Sequence, residues 1–189
     1  MSKFQTTPSK HLTQPPMGWN SWDCFGASVT EQEVLANATI MQEHLLPYGW
    51  DTIVVDIQWS HPTASGWRYH AYERMSLDAY GRQLPATNRF PSAQDGQGFT
   101  SLAKQIHDMG FLFGVHLLRG IPRQAVHDNL PIHGTDYTAR DVADTSSICA
   151  WNTDMYGLKR KHPGAQAYYD SVFALFAQWG VDYVKVDDI

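Results

Sequence analysis

The chain is short of the features that mark several large function classes. Only two cysteines, Cys24 and Cys149, occur among 189 residues. That is too few for a disulfide scaffold, and they lack the paired spacing of a zinc site, so free thiols are expected. No apolar run reaches the roughly 18 residues that a membrane span needs. The first sixteen residues are polar, rich in Thr, Ser, Gln and Pro, without the apolar stretch of a secretory signal. A soluble, cytoplasmic protein with no membrane partner is expected. Positive charge is scarce too: 14 Lys and Arg against 19 Asp and Glu give a formal net charge of -5. No basic surface is left for phosphate backbones, which argues against a nucleic-acid partner. No glycine-rich phosphate loop follows an apolar run and no His-x-His pair occurs, so neither a cofactor nor a metal is expected.

What is present is ordinary globular material, 43% hydrophobic and 17% charged, with an unusual aromatic share of 13% that includes seven Trp. Core packing is the default for any one Trp. Trp22, Trp59, Trp67 and Trp151, however, sit near turn-forming residues rather than inside apolar runs, where stacking on a neutral, hydroxyl-rich ligand is the sharper reading.

A unit recurs three times: an amphipathic helix, a glycine, then a short β-rich run. The first helix is predicted over 30–46, with Thr30 as N-cap, Glu33 completing a capping box, and Val34, Ala38, Met41 and Leu45 as its buried stripe. Gly49 ends the unit and 51–56 (DTIVVD) reads as a strand. The second helix, 98–109, buries Phe99, Leu102, Ala103, Ile106 and Met109 and leads into the strand 111–116 (FLFGVH). The third, 165–179, buries Tyr169, Val172, Phe173, Phe176 and Trp179 and leads into 181–187 (VDYVKVD). With an earlier strand at 17–22, four parallel strands joined by right-handed crossovers are predicted. An open doubly wound sheet and part of a (β/α)8 barrel both fit, and the missing phosphate loop favours the TIM barrel. A whole barrel usually needs about 250 residues, so 15–189 is expected to be the first four β/α units, preceded by a flexible segment, 1–14.

Loops at the carboxyl ends of such strands build the site, which directs attention to 57–97 and 117–164. In the last strand Tyr183, Lys185 and Asp187 share one face, while Val184 and Val186 share the other. The valines suit packing against helices. Lys185 and Asp187 then point inward, where Lys185 is expected to hold Asp187 ionised. Asp56, His116 and Trp22 end the other three strands. Each alone has a structural reading as a hydrogen-bonded core group; their coincidence at one mouth is what points to a site. The remaining loop histidines, His61, His70, His127 and His133, are expected on the surface.

A carboxylate near aromatic rings suits glycoside chemistry, in which it attacks or stabilises an oxocarbenium-like centre. The stretch 15–22, PPMGWNSW, resembles the N-terminal signature of glycoside hydrolase family 27, which contains α-galactosidases and α-N-acetylgalactosaminidases. The stretch 179–187, WGVDYVKVD, is similar to that family's fourth-strand segment. The resemblance implies a retaining double displacement on a terminal galactose or N-acetylgalactosamine. In it Asp187 is the nucleophile, Lys185 bonds sugar hydroxyls, Trp22 packs on the sugar and Asp56 binds its O4 and O6. The family's acid/base Asp lies on a later strand, so the fragment alone is expected to be inactive.

Several residues depart from that pattern. Asp56 is followed by Ile57 where the family usually has a second Asp. His116 stands where Tyr is usual, and Ile189 replaces a Cys that in many members pairs with one in the preceding loop, leaving Cys149 without that partner. The loop 117–123, LLRGIPR, looks like a bacterial branch, and Arg119 or Arg123 is expected to reach the pocket, with Cys149 and Trp151 also at its wall. Two other readings compete: a non-catalytic carbohydrate-binding half barrel, and a metal-dependent hydrolase using Asp56, His116 and Asp187. The strand edge at 181–189 would favour a homo-oligomer.

Overall fold

The computed structural model describes residues 15–69 and 72–189; the segment 1–14 and His70 lie outside them. β1 (Gly18–Asn20) is shorter than the predicted strand because Ser21 turns the chain into a single helical turn, α1 (Trp22–Phe25). Trp22 therefore opens a helix instead of ending a strand. Gly18 permits the close approach of the next strand: a Cβ there would lie 1.9 Å from the carbonyl oxygen of Thr52.

Helix α2 (Glu31–His44) starts with the predicted capping box, Thr30 N donating to Glu33 Oε2 at 2.8 Å and Glu33 N to Thr30 Oγ1 at 3.4 Å. Val34, Ala38 and Met41 are buried, but Leu45 is 38% exposed. The helix ends at His44 and tightens into a 3₁₀ turn, Leu46–Tyr48, capped by left-handed Gly49. β2 (Thr52–Val55) follows with all four residues buried. Beyond a 3₁₀ segment, Pro91–Gly96, α3 (Thr100–Asp108) buries Leu102, Ala103 and Ile106. β3 (Leu112–Leu118) then runs two residues past the predicted end at His116.

The predicted loop 117–164 is instead a small subdomain. It contains β4 (Ile121–Pro122), α4 (Arg123–Asp128), α5 (Ala139–Val142), β5 (Ala143–Ile148) and β6 (Met155–Leu158), its strands antiparallel in the order β4-β6-β5. Helix α6 (Pro163–Gln178) and β7 (Tyr183–Asp187) complete the regular elements of the described residues. On α6 the buried stripe is Tyr168, Val172, Phe176 and Trp179, whereas Phe173 is 43% exposed. The helical period is as predicted, with its face shifted by about one position.

The main sheet has the order β1-β2-β3-β7 with every pair parallel, and α2, α3 and α6 lie on the crossovers. These are the β/α units of a partial (β/α)8 barrel. Behind the sheet, Phe99 packs edge-on against Trp59, Phe90, Phe113 and Trp179, with centroids 5.1 to 5.8 Å apart. Truncating a ring in such a cluster to Ala costs about 3–5 kcal/mol, so this core fixes the sheet from which the site projects.

Candidate functional site at the strand ends

The pairing Val54 to Gly114 to Tyr183 and the pairing His116 to Lys185 place one inner face in register across three strands. Along it lie Asp56, just beyond β2, His116 of β3, and Lys185 and Asp187 of β7. Gly114 lets the strands close here: a Cβ would meet Val54 Cγ2 at 3.0 Å and Tyr183 Cδ1 at 3.2 Å.

Asp56 is 2% exposed and accepts three hydrogen bonds, which leaves acceptor capacity on its carboxylate. Its Oδ2 accepts from Asn20 Nδ2 at 2.6 Å and Lys185 Nζ at 2.7 Å, and its Oδ1 from the backbone N of Ile57 at 2.7 Å. Burial pushes this carboxyl up, but Lys185, His116, the Ile57 amide and Asn20 together hold it below the usual carboxylate value of 3.8. The expectation that Lys185 attends Asp187 is thereby corrected. Both residues face inward, as alternation predicts, but the long Lys stem reaches across β3 to the end of β2, where a buried carboxylate needs it more.

Asp187 has a different environment. Its side chain is 40% exposed, the most open of the three carboxylates at this edge; those of Asp56 and Asp188 are 3% and 26%. Its Oδ1 accepts from the backbone N of Asp188 at 2.9 Å, and His116 Nε2 lies 3.3 Å from its Oδ2. Burial pushes His116 below its usual 6.5 despite the opposing charges of Asp56 and Asp187, so the ring is neutral at pH 7 and Nε2–H donates. With only 2% of its side chain exposed, His116 stands behind Asp187. Trp59 Nε1 donates to the His116 carbonyl at 2.8 Å, placing that Trp in the core instead of the pocket.

The other Trp residues singled out do gather. Trp22 stacks on Tyr69 at 5.7 Å with 19° between the rings, meets Trp67 edge-on at 5.5 Å, and Tyr69 touches Trp151 at 5.5 Å. Tyr69 was not singled out from the sequence. Burial and the nearby charges of Asp56 and Asp187 push its hydroxyl up to about 12, keeping it a protonated donor beside both carboxylates. The signal available was its position two residues after Trp67 in the long loop following β2.

Arg119 and Cys149 lie beside Asp188, the residue after Asp187. Arg119 Nε donates to the carbonyl of Asp188 at 2.7 Å and its Nη1 to Ser147 Oγ at 3.1 Å. Cys149 is 2% exposed, and burial pushes its thiol up. Arg123 is sandwiched between the rings of Tyr72 and Tyr156, 4.6 and 4.7 Å from their centroids, in a separate cleft. His127 and His133 are exposed. His61 is not: it is 1% exposed, with Nε2 3.1 Å from Asp154 Oδ2, to which Gln58 Nε2 also donates at 3.0 Å. A loop position did not mean a surface position there, because the 57–97 loop folds down against the 117–164 subdomain. Among the described residues no group of three or more His, Cys, Asp or Glu is arranged to hold a metal ion, and no helix is long and apolar enough to cross a membrane.

The result is an open carboxylate oriented by two donors and a closed one capped by an ammonium, beside an aromatic wall with a phenol among them. The first can attack or stabilise a cationic carbon; the second, with Lys185, can accept and donate hydrogen bonds to hydroxyl groups.

No protein-family model matches the chain. A crystal structure of a family-27 β-L-arabinopyranosidase variant from Geobacillus stearothermophilus, in complex with arabinose, is 61% identical with a TM-score of 0.91, covering 93% of this chain and 41% of that one. A Bacillus halodurans protein with the provisional name α-N-acetylgalactosaminidase is 62% identical with a TM-score of 0.87, over 93% of this chain and 41% of that one. An α-galactosidase of Schizosaccharomyces pombe is 30% identical over 186 residues, 90% of this chain and 38% of that protein. The chain thus spans about two fifths of the length of these proteins.

Proposed function

From a chain that belongs to glycoside hydrolase family 27, we propose a retaining glycosidase acting on a terminal sugar of galacto configuration, with Asp187 as its nucleophile. The observation that carries this reading is the contrast between the two inward carboxylates. Asp187 is open and held by His116 and the Asp188 amide, while Asp56 is sealed under Lys185, Asn20 and Ile57 N.

In the first step an Asp187 oxygen bonds to C1 of the sugar as the bond from C1 to the leaving oxygen breaks, and that oxygen takes a proton from an acid. In the second, water attacks C1, gives its proton to the same group, and frees Asp187. Such an acid/base partner stands about 5–5.5 Å from the nucleophile. Asp56, capped by Lys185, and Asp188, paired with Arg119 at 3.0 Å, are both otherwise engaged; the resemblance assigns that role to a later strand. Asp56 and Lys185 hold ring hydroxyls, and the rings of Trp22, Tyr69 and Trp151 wall the sugar.

The substrate reading is a β-L-arabinopyranoside in preference to an α-galactoside. The two sugars share their ring configuration and differ by the exocyclic hydroxymethyl. The residue after Asp56 is buried, apolar Ile57, which offers no carboxylate for that extra hydroxyl. Assays of the full-length protein on p-nitrophenyl β-L-arabinopyranoside, α-galactoside and α-N-acetylgalactosaminide test this. The first is expected to give the highest kcat/KM, and Asp187→Asn to abolish turnover. Undiminished activity in Asp187→Asn would reject the nucleophile, and a preference for either hexoside would reject the substrate.

A further inference from the structure

The nucleophile's orientation depends on the residue after it. Asp188 is a non-glycine residue in the left-handed region, φ 59°, a backbone conformation that L-residues seldom adopt and that persists where the surroundings over-determine it. The amide of the peptide that joins it to Asp187 lies 2.9 Å from Asp187 Oδ1, so whatever fixes this peptide also fixes the carboxylate. Arg119 grips the peptide and Asp188 from several sides. Its backbone N donates to the Asp187 carbonyl at 3.2 Å, its Nε to the Asp188 carbonyl at 2.7 Å, and its Nη2 lies 3.0 Å from Asp188 Oδ2.

Arg119 is itself anchored from behind. Its Nη1 donates to Ser147 Oγ of β5 at 3.1 Å, an approach that Gly157 permits, since a Cβ there would sit 2.6 Å from the Ser147 side chain and 3.1 Å from Arg119 Nη1. The amide of the following residue, Gly120, donates to Tyr169 Oη at 2.7 Å. The guanidinium thus bonds Asp188 and Ser147, linking the β4-β6-β5 subdomain to the end of β7, and its fork geometry allows it to bond a carbonyl and a carboxylate together.

We propose that Arg119 is a positioning residue for Asp187, acting through Asp188, and that it makes no contact with the sugar. The inference rests on Asp187 being the nucleophile. A misplaced nucleophile slows bond formation without weakening ground-state binding. In the full-length protein Arg119→Ala is therefore expected to lower kcat roughly 10- to 100-fold while KM stays nearly constant. Arg119→Lys, a point charge that reaches one of the two oxygens, recovers part of the loss. Asp188→Asn keeps a residue tolerant of left-handed backbone but removes the ion pair, and gives an intermediate loss. Because both residues act in one chain of contacts, the double variant Arg119→Ala/Asp188→Asn is no slower than Arg119→Ala alone.

Unchanged kcat in Arg119→Ala overturns the inference, as does a rise in KM at constant kcat, which would mean sugar contact, or additive losses in the double variant. If Arg119→Ala does not fold, a reduced kcat at unchanged KM in folded Arg119→Lys and Asp188→Asn supports it, and wild-type kcat in both rejects it. The nucleophile reading is tested apart from this with Asp187→Gly and azide, which attacks C1 in place of the carboxylate. Rescue by azide together with normal Arg119 variants removes only the positioning role; activity in Asp187→Gly without azide removes the nucleophile as well.

Discussion

Lys185 Nζ lies 2.7 Å from Asp56 Oδ2, reaching over β3, although Asp187 is its neighbour on the same strand face. The pair joins a buried carboxylate to a partly exposed ammonium, their side chains 3% and 38% exposed. Removing the ammonium strands a charge that the fold has taken out of water.

Lys185→Met is therefore expected to destabilise the protein by about 1–3 kcal/mol, less than a fully buried pair because the ammonium is partly solvated. Adding Asp56→Asn to that background restores part of the loss, since an amide needs no counter-charge. Urea midpoints of the single and double variants check this, and additive losses would show that the two side chains are uncoupled.

Stability is expected to fall in two stages as pH is lowered. Folding depresses the His116 pKa below 6.5, because burial favours its neutral ring; that contribution is complete above pH 6.5 and is lost as pH falls toward the folded value. Asp56 and Asp154 are held below 3.8 by Lys185 and His61 against the effect of burial. Their contribution is present above that value and disappears as pH drops through their folded ones. Urea unfolding at about pH 7.5, 5.5 and 4, which bracket the ordinary His value, should show the first stage. A His116→Gln variant should lack it.

Asp154 anchors the 57–97 loop to the subdomain through His61 and Gln58, with side chains only 2% and 4% exposed for His61 and Asp154. Asp154→Ala removes the charge facing buried His61 Nε2 and the acceptor of Gln58 Nε2 and is expected to cost about 2–4 kcal/mol, read as a lowered thermal midpoint. Asp154→Asn, which keeps an acceptor for Gln58, should cost less. Equal losses in the two variants would contradict a hydrogen-bonding role.

The three β/α units were legible because their signals are local. The capping box at Thr30 and Glu33, the 3.6-residue stripe of α2 and α3, and the alternation in 181–187 all need only a few neighbouring residues. That alternation also separated Asp187 from Asp188. What was not legible depends on contacts distant in sequence. β5 (ADTSSI) is polar and is held as a strand by β6 and by Ser147's bond to Arg119. His61 is buried by Asp154, 93 positions along the chain, and Lys185 chooses Asp56 over Asp187 through strand order that no local pattern records. Tyr69 belongs to the same class, as its partners Trp22 and Trp151 come from two other segments.

Trp151 and Tyr69 separate sugar contact from fold support. Trp151 is 44% exposed, so Trp151→Ala leaves no sealed cavity and is expected to keep the thermal midpoint. Loss of one stacking face should weaken sugar binding about tenfold, or about 1.4 kcal/mol, seen as a higher KM. Tyr69→Phe keeps the stack on Trp22 but removes the hydroxyl, whose pKa burial and then the charges of Asp56 and Asp187 push up. If that hydroxyl donates to the sugar, Tyr69→Phe raises KM or lowers kcat while Trp fluorescence stays the same, because the ring contact on Trp22 is kept. A Tyr69→Phe enzyme with native kinetics would confine Tyr69 to holding Trp22 and Trp151 in place, and Tyr69→Ala would then disturb fluorescence and KM together.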